Sequence, residues 1–158
     1  KNGLMDGTGP AAFAPTTVLT RSMAAQVLWN LADSPAVPGT AGFTDVPSDA
    51  WYAGAVNWSA ARGIVTGYST GAFGPEDAVT REQLAAMLYR YADAPEAGGT
   101  LDAFTDADIV SAYAADAMRW AAANGIVNGS HGRLNPQGNA TRAQAAAMLM
   151  RFCEKMEQ

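Results

Sequence analysis

The chain has 158 residues, about half of them hydrophobic, and a formal net charge of −5. This length is enough for a packed core and suggests roughly one domain. The acidic balance argues against a nucleic-acid or anionic-membrane binder that relies on bulk charge, and no apolar run approaches the roughly 20 residues of a membrane helix. The opening Lys1-Asn2-Gly3 looks like the interior of a longer protein, so we expect a fragment without its signal peptide.

A Thr-Arg pair followed by strong helix formers occurs three times, about 60 residues apart, and divides the chain into repeats. Threonine is a good N-cap, so each pair predicts a helix start with a cation beside it. Gln83 and Gln144 follow their threonines by three residues and can close a capping box, whereas Met23 cannot. The pairs are Thr20-Arg21, Thr80-Arg81 and Thr141-Arg142.

Residues 1–42 are predicted to be a partial repeat followed by a linker. Gly3-Leu4-Met5-Asp6-Gly7 resembles Gly63-Ile64-Val65-Thr66-Gly67 of the next repeat, and Phe13 and Pro15 match the turn that follows there. The helix that should come before these residues is absent. We therefore expect an incomplete groove around Arg142, which would need that helix.

Residues 43–103 are predicted to be a complete repeat with its linker. After the opening Phe43-Thr44-Asp45, we expect a first helix over about 50–62, capped by Ser48 or Asp49 and stopped by Gly63. Two short β-prone pieces then flank a Gly- and Ser-rich turn, which makes a small hairpin plausible. The second helix should run from Thr80 to about residue 91.

Residues 104–158 are predicted to be the third repeat, with the three repeats together forming one domain. Its opening is Phe104-Thr105-Asp106, and its first helix carries Tyr113 and Trp120. Trp120 and its counterpart Trp58 fall late on their helices among alanines, and we assign both to the core. Cys153 is the single cysteine and is interpreted as a small buried hydrophobe on the last helix.

This order of elements resembles the S-layer homology (SLH) repeat, over essentially the whole chain. The resemblance implies an all-α, pseudo-threefold assembly with a central helical bundle and prongs of loops, short helices and small β-hairpins. Members of that family anchor exoproteins and S-layer proteins non-covalently to bacterial secondary cell-wall polysaccharide, typically at pyruvylated sugars in grooves between repeats. It further implies an extracellular location at the cell wall.

The family's Thr-Arg-Ala-Glu signature maps onto the three Thr-Arg pairs, although none keeps the final Glu. Its opening Asp maps onto Asp45 and Asp106. The aromatic that leads its first helix maps onto Trp51 and, less typically, Tyr113. An arginine at a helix N-terminus suits a carboxylate, an aromatic face suits a pyranose, and an Asp can accept sugar hydroxyls. The expected ligand-binding residues are Arg21, Arg81, Arg142, Asp45, Asp106, Trp51 and Tyr113, with Thr20, Thr80 and Thr141 as helix caps.

Structural roles compete with several of these assignments. A first-turn arginine is often a solvated or locally paired charge. Asp45 and Asp106 are about as suited to bracing the start of the first helix as to touching sugar. Trp51 and Tyr113 are equally compatible with packing and with ligand stacking.

Nothing in the sequence indicates catalysis, a cofactor or a metal site. His131 is the only histidine, and Asp106-x-Asp108 lacks the rest of a calcium loop. The rival to glycan binding is a structural or protein-interaction module, because the missing helix would leave an apolar slot for a second copy or an exchanged helix. We predict Arg21 acting with Asp45 and Trp51, and Arg81 with Asp106 and Tyr113, across repeat boundaries.

Overall fold

The protein is described by a computed structural model over residues 17–37 and 39–156. These ranges contain five α-helices and two short 3₁₀ helices, and no strand within them extends beyond isolated bridges. The expected all-α fold is confirmed. The α-helices are α1 Arg21–Leu31, α2 Ala53–Ala61, α3 Arg81–Tyr91, α4 Ala115–Ala123 and α5 Arg142–Met156, and the 3₁₀ helices are Ala107–Ile109 and Ala112–Ala114.

A closed ring of three backbone hydrogen bonds lies where the repeats meet. The N–H of Leu19 donates to Ala140 (2.9 Å), that of Ala140 to Val79 (2.8 Å), and that of Val79 back to Leu19 (2.8 Å). Each of these three residues is fully buried, and each comes two residues before α1, α3 or α5. The three helices therefore begin around one pseudo-threefold centre. The predicted matches of residues 3–15 to the later repeats lie outside the described residues.

Threonine caps these helices as the local sequence favours. The Thr20 side chain accepts from the N–H of Met23. In α3 the N–H of Gln83 donates to Thr80 while the Gln83 side chain accepts from the Thr80 N–H, which is a complete capping box. The same reciprocal pair joins Thr141 and Gln144.

Each second helix packs against the first helix of the following repeat. Helix α1 contacts α2, and α3 contacts α4. Trp58 and Trp120 are each only 5% exposed, which confirms their assignment to the core. Trp120 packs against Tyr89 of α3 and Phe152 of α5, so one aromatic cluster links the last two repeats.

The first helix of the second repeat is shorter than predicted. Helix α2 begins at Ala53, and neither Ser48 nor Asp49 caps it; Tyr52 holds the N-cap position without a side-chain hydrogen bond. The preceding residues instead form successive turns, with Ala50 N–H donating to Pro47 and Ala53 N–H to Ala50. These turns use the groups that an earlier helix start would have needed.

The end of α2 follows the prediction. Gly63 adopts a φ of +75°, and the N–H of Ile64 donates to Ser59 at 2.8 Å. This is the arrangement in which a left-handed glycine closes a helix.

The expected hairpin in the second repeat does not form. Tyr68 N–H donates to Ala72 across a tight turn, and the described residues there contain no paired strands. The physical reason is that the neighbouring backbone groups bind side chains: the N–H of Phe73 donates to Asp45, and the carbonyl of Thr66 accepts from Arg21. Cross-strand pairing would require those same groups.

Cys153 packs against the core but is only partly buried, so the prediction of a buried thiol is wrong in degree. Its neighbour Phe152 is fully buried. Successive residues of an α-helix are turned by roughly 100°, so Cys153 lies at the border of the buried face.

Candidate functional site

Arg21 lies at the boundary between the first two repeats and is held by the loop after α2. Its Nε donates to the carbonyl of Phe73 and its Nη2 to that of Thr66, both at 2.8 Å. The guanidinium carbon lies 4.7 Å from the ring centre of Phe73 and 5.1 Å from that of Tyr68. We call Arg21, Asp45, Thr66, Tyr68 and Phe73 the first groove.

Asp45 braces the same loop. Its two carboxylate oxygens accept from the N–H groups of Phe73 (2.8 Å) and Gly74 (2.9 Å). Burial is the largest single influence and raises the pKa of Asp45, but these backbone hydrogen bonds and the charge of Arg21 together hold that pKa below its ordinary value. Both backbone groups of Phe73 are therefore bound by side chains: its N–H donates to Asp45 and its carbonyl accepts from Arg21.

An equivalent boundary joins the second and third repeats. Asp106 accepts from the N–H groups of Leu134 and Asn135, both at 2.8 Å. Arg81 donates through Nη1 to the carbonyl of Asn135 at 3.4 Å. We call Arg81, Glu82, Asp106, Tyr113 and Asn135 the second groove.

The two grooves hold their arginines differently. The positions equivalent to Tyr68 and Phe73 are Ser130 and Leu134, which offer no aromatic face. Arg81 has one long hydrogen bond where Arg21 has two short ones. Arg21 is therefore the more firmly preorganised cation.

Neither the Asp45 nor the Asp106 side chain braces the start of its first helix, in contrast to one of the two predicted roles. Each instead fixes the loop that follows that helix. Aspartates with both oxygens bound to backbone N–H groups retain further lone pairs for a ligand hydroxyl.

The two leading aromatics are exposed. Trp51 is 60% and Tyr113 53% exposed. Trp51 lies in the turns before α2 and Tyr113 in the 3₁₀ helix Ala112–Ala114 before α4, so neither lies on the α-helix predicted to carry it. Trp51 meets Tyr52 edge to face at 5.1 Å, and the hydroxyl of Tyr113 donates to Glu82 at 3.3 Å. Neither aromatic ring is a core residue.

Glu82 is a site residue that the sequence reasoning missed. It is 3% exposed and accepts hydrogen bonds from Ser111, Tyr113 and Gln137. The one signal was its place directly after Arg81, where an acidic residue suits a helix N-terminus. Its burial depends on the third repeat covering it, which the local sequence does not reveal.

Arg142 is 2% exposed, and its backbone N–H donates to Thr17 at 2.8 Å. The loop that would correspond to those of the other two grooves falls in residues 3–15, outside the described ones. An incomplete third groove therefore stays a prediction.

The described residues hold no group of three or more His, Cys, Asp or Glu side chains arranged for a metal ion. In that same part of the chain, no helix has the length and apolarity needed to cross a membrane. Both grooves combine a cation at a helix N-terminus with a braced carboxylate, and the second groove also includes the exposed ring of Tyr113. This combination suits an anionic ligand with apolar faces.

The fold defines a module built from repeats around a pseudo-threefold centre. The chain matches the S-layer homology domain over residues 42–85 and 103–146, more than half of its length. It therefore belongs to the S-layer homology family, and this membership makes it a wall-anchoring module of the bacterial cell surface.

Three relatives illustrate the contexts in which similar modules occur. The chain is 31% identical to the surface-layer 125 kDa protein of Lysinibacillus sphaericus, over 98% of this chain and 13% of that protein. It is 32% identical to an amylopullulanase of Thermoanaerobacterium thermosulfurigenes over 96% of this chain and 8% of the enzyme. It is 26% identical to the cellulosome-anchoring protein of Acetivibrio thermocellus over 90% and 34%, respectively. The chain thus spans only a small part of these relatives.

Proposed function

We propose that this module binds an anionic, pyruvylated secondary cell-wall polysaccharide in its inter-repeat grooves and so anchors a larger exoprotein. The observation that carries the proposal is the recurrence of one arrangement at two successive repeat boundaries. At each boundary, an arginine and an aspartate both bind the backbone of the loop after the first helix of the following repeat. They bind it at Phe73 in the first groove and at Asn135 in the second.

The chemistry of the first groove fits a sugar-bound carboxylate. The guanidinium of Arg21 has five N–H groups, and its two carbonyl contacts use two of them. The remaining three can donate to a pyruvyl carboxylate in a charge-assisted contact, which typically contributes about 1.5–3 kcal/mol. Because Arg21 is already held in place, little side-chain entropy is lost when the ligand binds.

The aromatic rings and aspartates complete the proposed sites. We assign the exposed ring of Trp51 to the first groove and that of Tyr113 to the second, for contact with the apolar side of a pyranose. Asp45 and Asp106 would accept sugar hydroxyls with lone pairs that the loop amides leave available. An acidic protein can thereby bind an acidic polymer, because the attraction is local.

Avidity explains how small sites can anchor a large protein. Each groove alone would bind weakly, whereas linked grooves on a repetitive polymer gain from effective concentration. We propose that residues 1–42, 43–103 and 104–158 are the three repeats of one domain, with the hydrogen-bonded ring holding their grooves at fixed spacing. Arg142 would serve a third, incomplete groove.

Calorimetry with purified wall polysaccharide tests the proposal. Arg21→Ala and Arg81→Ala should each weaken binding, and chemical depyruvylation of the polymer should weaken it for the parent protein. Arg119→Ala is the matched control, since that arginine pairs with Asp116 on α4 and belongs to neither groove.

Folded arginine variants that bind as tightly as the parent would refute the site assignment. Equal binding of native and depyruvylated polymer would refute the pyruvyl specificity. A parent protein that sediments as a strict dimer and ignores both polymers would instead indicate the self-assembly module.

A further inference from the structure

The most extensively bonded carboxylate of the described residues is Glu82, at the second repeat boundary. Its Oε1 accepts from Ser111 N–H (3.0 Å) and Gln137 Nε2 (3.3 Å), and its Oε2 from Ser111 Oγ (2.6 Å) and the hydroxyl of Tyr113 (3.3 Å). Gln137 also donates to the carbonyl of Ile109 at 2.7 Å. All of these partners belong to the third repeat, whereas Glu82 belongs to the second.

We propose that Glu82 is a positioning residue that fixes the ring of Tyr113 at the mouth of the second groove as a platform for sugar. This inference rests on the function proposed above. Glu82 would touch no ligand itself; it would act by holding the hydroxyl end of Tyr113 while the ring face stays exposed.

Burial and exposure separate the two residues in the way such a device needs. Glu82 is 3% exposed and Tyr113 is 53% exposed. The carboxylate is therefore shielded from solvent, whereas the tyrosine ring is accessible to a ligand. A buried carboxylate with both oxygens hydrogen-bonded is held in place, because losing a donor leaves a buried charge with fewer of the bonds that compensate for its burial. Its bond with Ser111 also fixes the segment that carries Tyr113, two residues before that ring.

The first groove shows that this device is not a general requirement of the fold. Ser22 stands where Glu82 stands in the next repeat, and its hydroxyl donates to the carbonyl of Pro75 at 2.8 Å. The corresponding aromatic, Trp51, makes an edge-to-face contact with Tyr52. In the second groove a carboxylate, Glu82, therefore holds the exposed ring of Tyr113, whereas in the first groove an aromatic ring contacts Trp51. The affinity of the second groove for sugar should accordingly depend on Glu82.

The test uses the methyl glycoside of a pyruvylated amino sugar, a monovalent probe that removes avidity. Tyr113→Phe keeps the ring and loses the hydroxyl with its bonds to Glu82 and Gln83, and it should weaken binding at the second groove about three- to tenfold. Glu82→Ala should weaken it similarly, and combining the two should add less than about a twofold loss. Unchanged affinity of Tyr113→Phe, or losses that multiply in the double variant, would overturn the proposal.

Glu82→Gln provides the conservative variant for the case in which Glu82→Ala does not fold. Its amide oxygen still accepts from Ser111 N–H, and its amide nitrogen can donate to the hydroxyls of Ser111 and Tyr113. We expect affinity within about twofold of the parent. Ser22→Ala is the matched control in the first groove, and it should leave binding at the second groove unchanged.

A readout without ligand separates this inference from the proposed function. NMR relaxation of the Tyr113 ring carbons should show a more mobile ring in Glu82→Ala than in the parent or in Glu82→Gln. If the parent protein does not bind the glycoside but the order of the Tyr113 ring still depends on Glu82, the proposed function alone is refuted. Binding lost in Arg81→Ala but retained in Tyr113→Phe, with ring order unchanged in every variant, would sink this inference alone.

Discussion

The backbone N–H of Leu19 donates to the carbonyl of Ala140 at 2.9 Å, joining the residues just before α1 to those just before α5. This single contact turns a linear series of repeats into a closed ring, with Val79 as its third member. For the proposed function, closure would matter because it sets the angle and spacing between successive grooves. A repeat array without closure would let those grooves move independently.

Leu19→Ala should lower the free energy of unfolding by about 2–5 kcal/mol, because the leucine is fully buried at the ring. The adjacent Val18 is 37% exposed, so Val18→Ala should change it by less than about 1 kcal/mol. Urea denaturation followed by circular dichroism measures both. Equal losses for the two variants would mean that the ring is not where the repeats are held together.

Thr80→Ala removes the side-chain cap of α3 and one half of its capping box. We expect a loss of about 0.5–2 kcal/mol in unfolding free energy. Thr70→Ala, at an exposed turn position, is the control and should be neutral. A Thr80→Ala protein as stable as the Thr70→Ala protein would show that the cap contributes nothing.

Acid should weaken the loops that Asp45 and Asp106 brace. Both carboxyls have pKa values lowered from the ordinary 3.8: burial acts against this shift, and the backbone hydrogen bonds outweigh it. A carboxyl with a lowered folded pKa contributes stability that is present above pH 3.8 and is lost as the pH falls through the folded pKa. Urea unfolding at a series of pH values from 7 to 3 should show this loss, and it should be smaller in Asp45→Asn and Asp106→Asn. A stability of these variants that falls as steeply as that of the parent would contradict the assignment.

Tyr68 should titrate abnormally at alkaline pH. Its hydroxyl donates to Asp77 at 2.6 Å, and this bond, followed by burial, raises its pKa above 10.0. A raised folded pKa contributes stability below pH 10 that is lost as the pH rises through the folded value. Ultraviolet difference titration should show a lower Tyr68 pKa in Asp77→Asn. A titration curve of Asp77→Asn identical to that of the parent would show that the hydrogen bond to Asp77 does not raise the Tyr68 pKa.

Local sequence signals predicted the starts of α1, α3 and α5 well, because the capping of these helices is settled within four residues. Thr80 and Gln83 needed nothing from the rest of the chain to make their box. The core tryptophans, Trp58 and Trp120, were predictable for a similar reason: each lies among alanines on a short helix that must bury one face.

The loops were less predictable, because their backbone groups bind side chains from distant positions. The β-prone residues around Phe73 would favour a hairpin locally. Asp45 and Arg21, from outside that segment, take the N–H and carbonyl groups that a hairpin would use. Competition of this kind is invisible until the repeats are placed side by side.

The sequence by itself determined the repeats and the arginine at each of three helix starts, because caps and periodicity are local properties of the chain, and its resemblance to the S-layer homology repeat implied the all-α fold. Only the tertiary structure decided what those arginines and their neighbours do. Arg21 is clamped between rings and carbonyls while Arg81 has a single long bond, and Glu82 is buried because the third repeat closes over it. These differences arise from contacts between repeats, and such contacts depend on which residues the ring brings together rather than on any one repeat's own pattern.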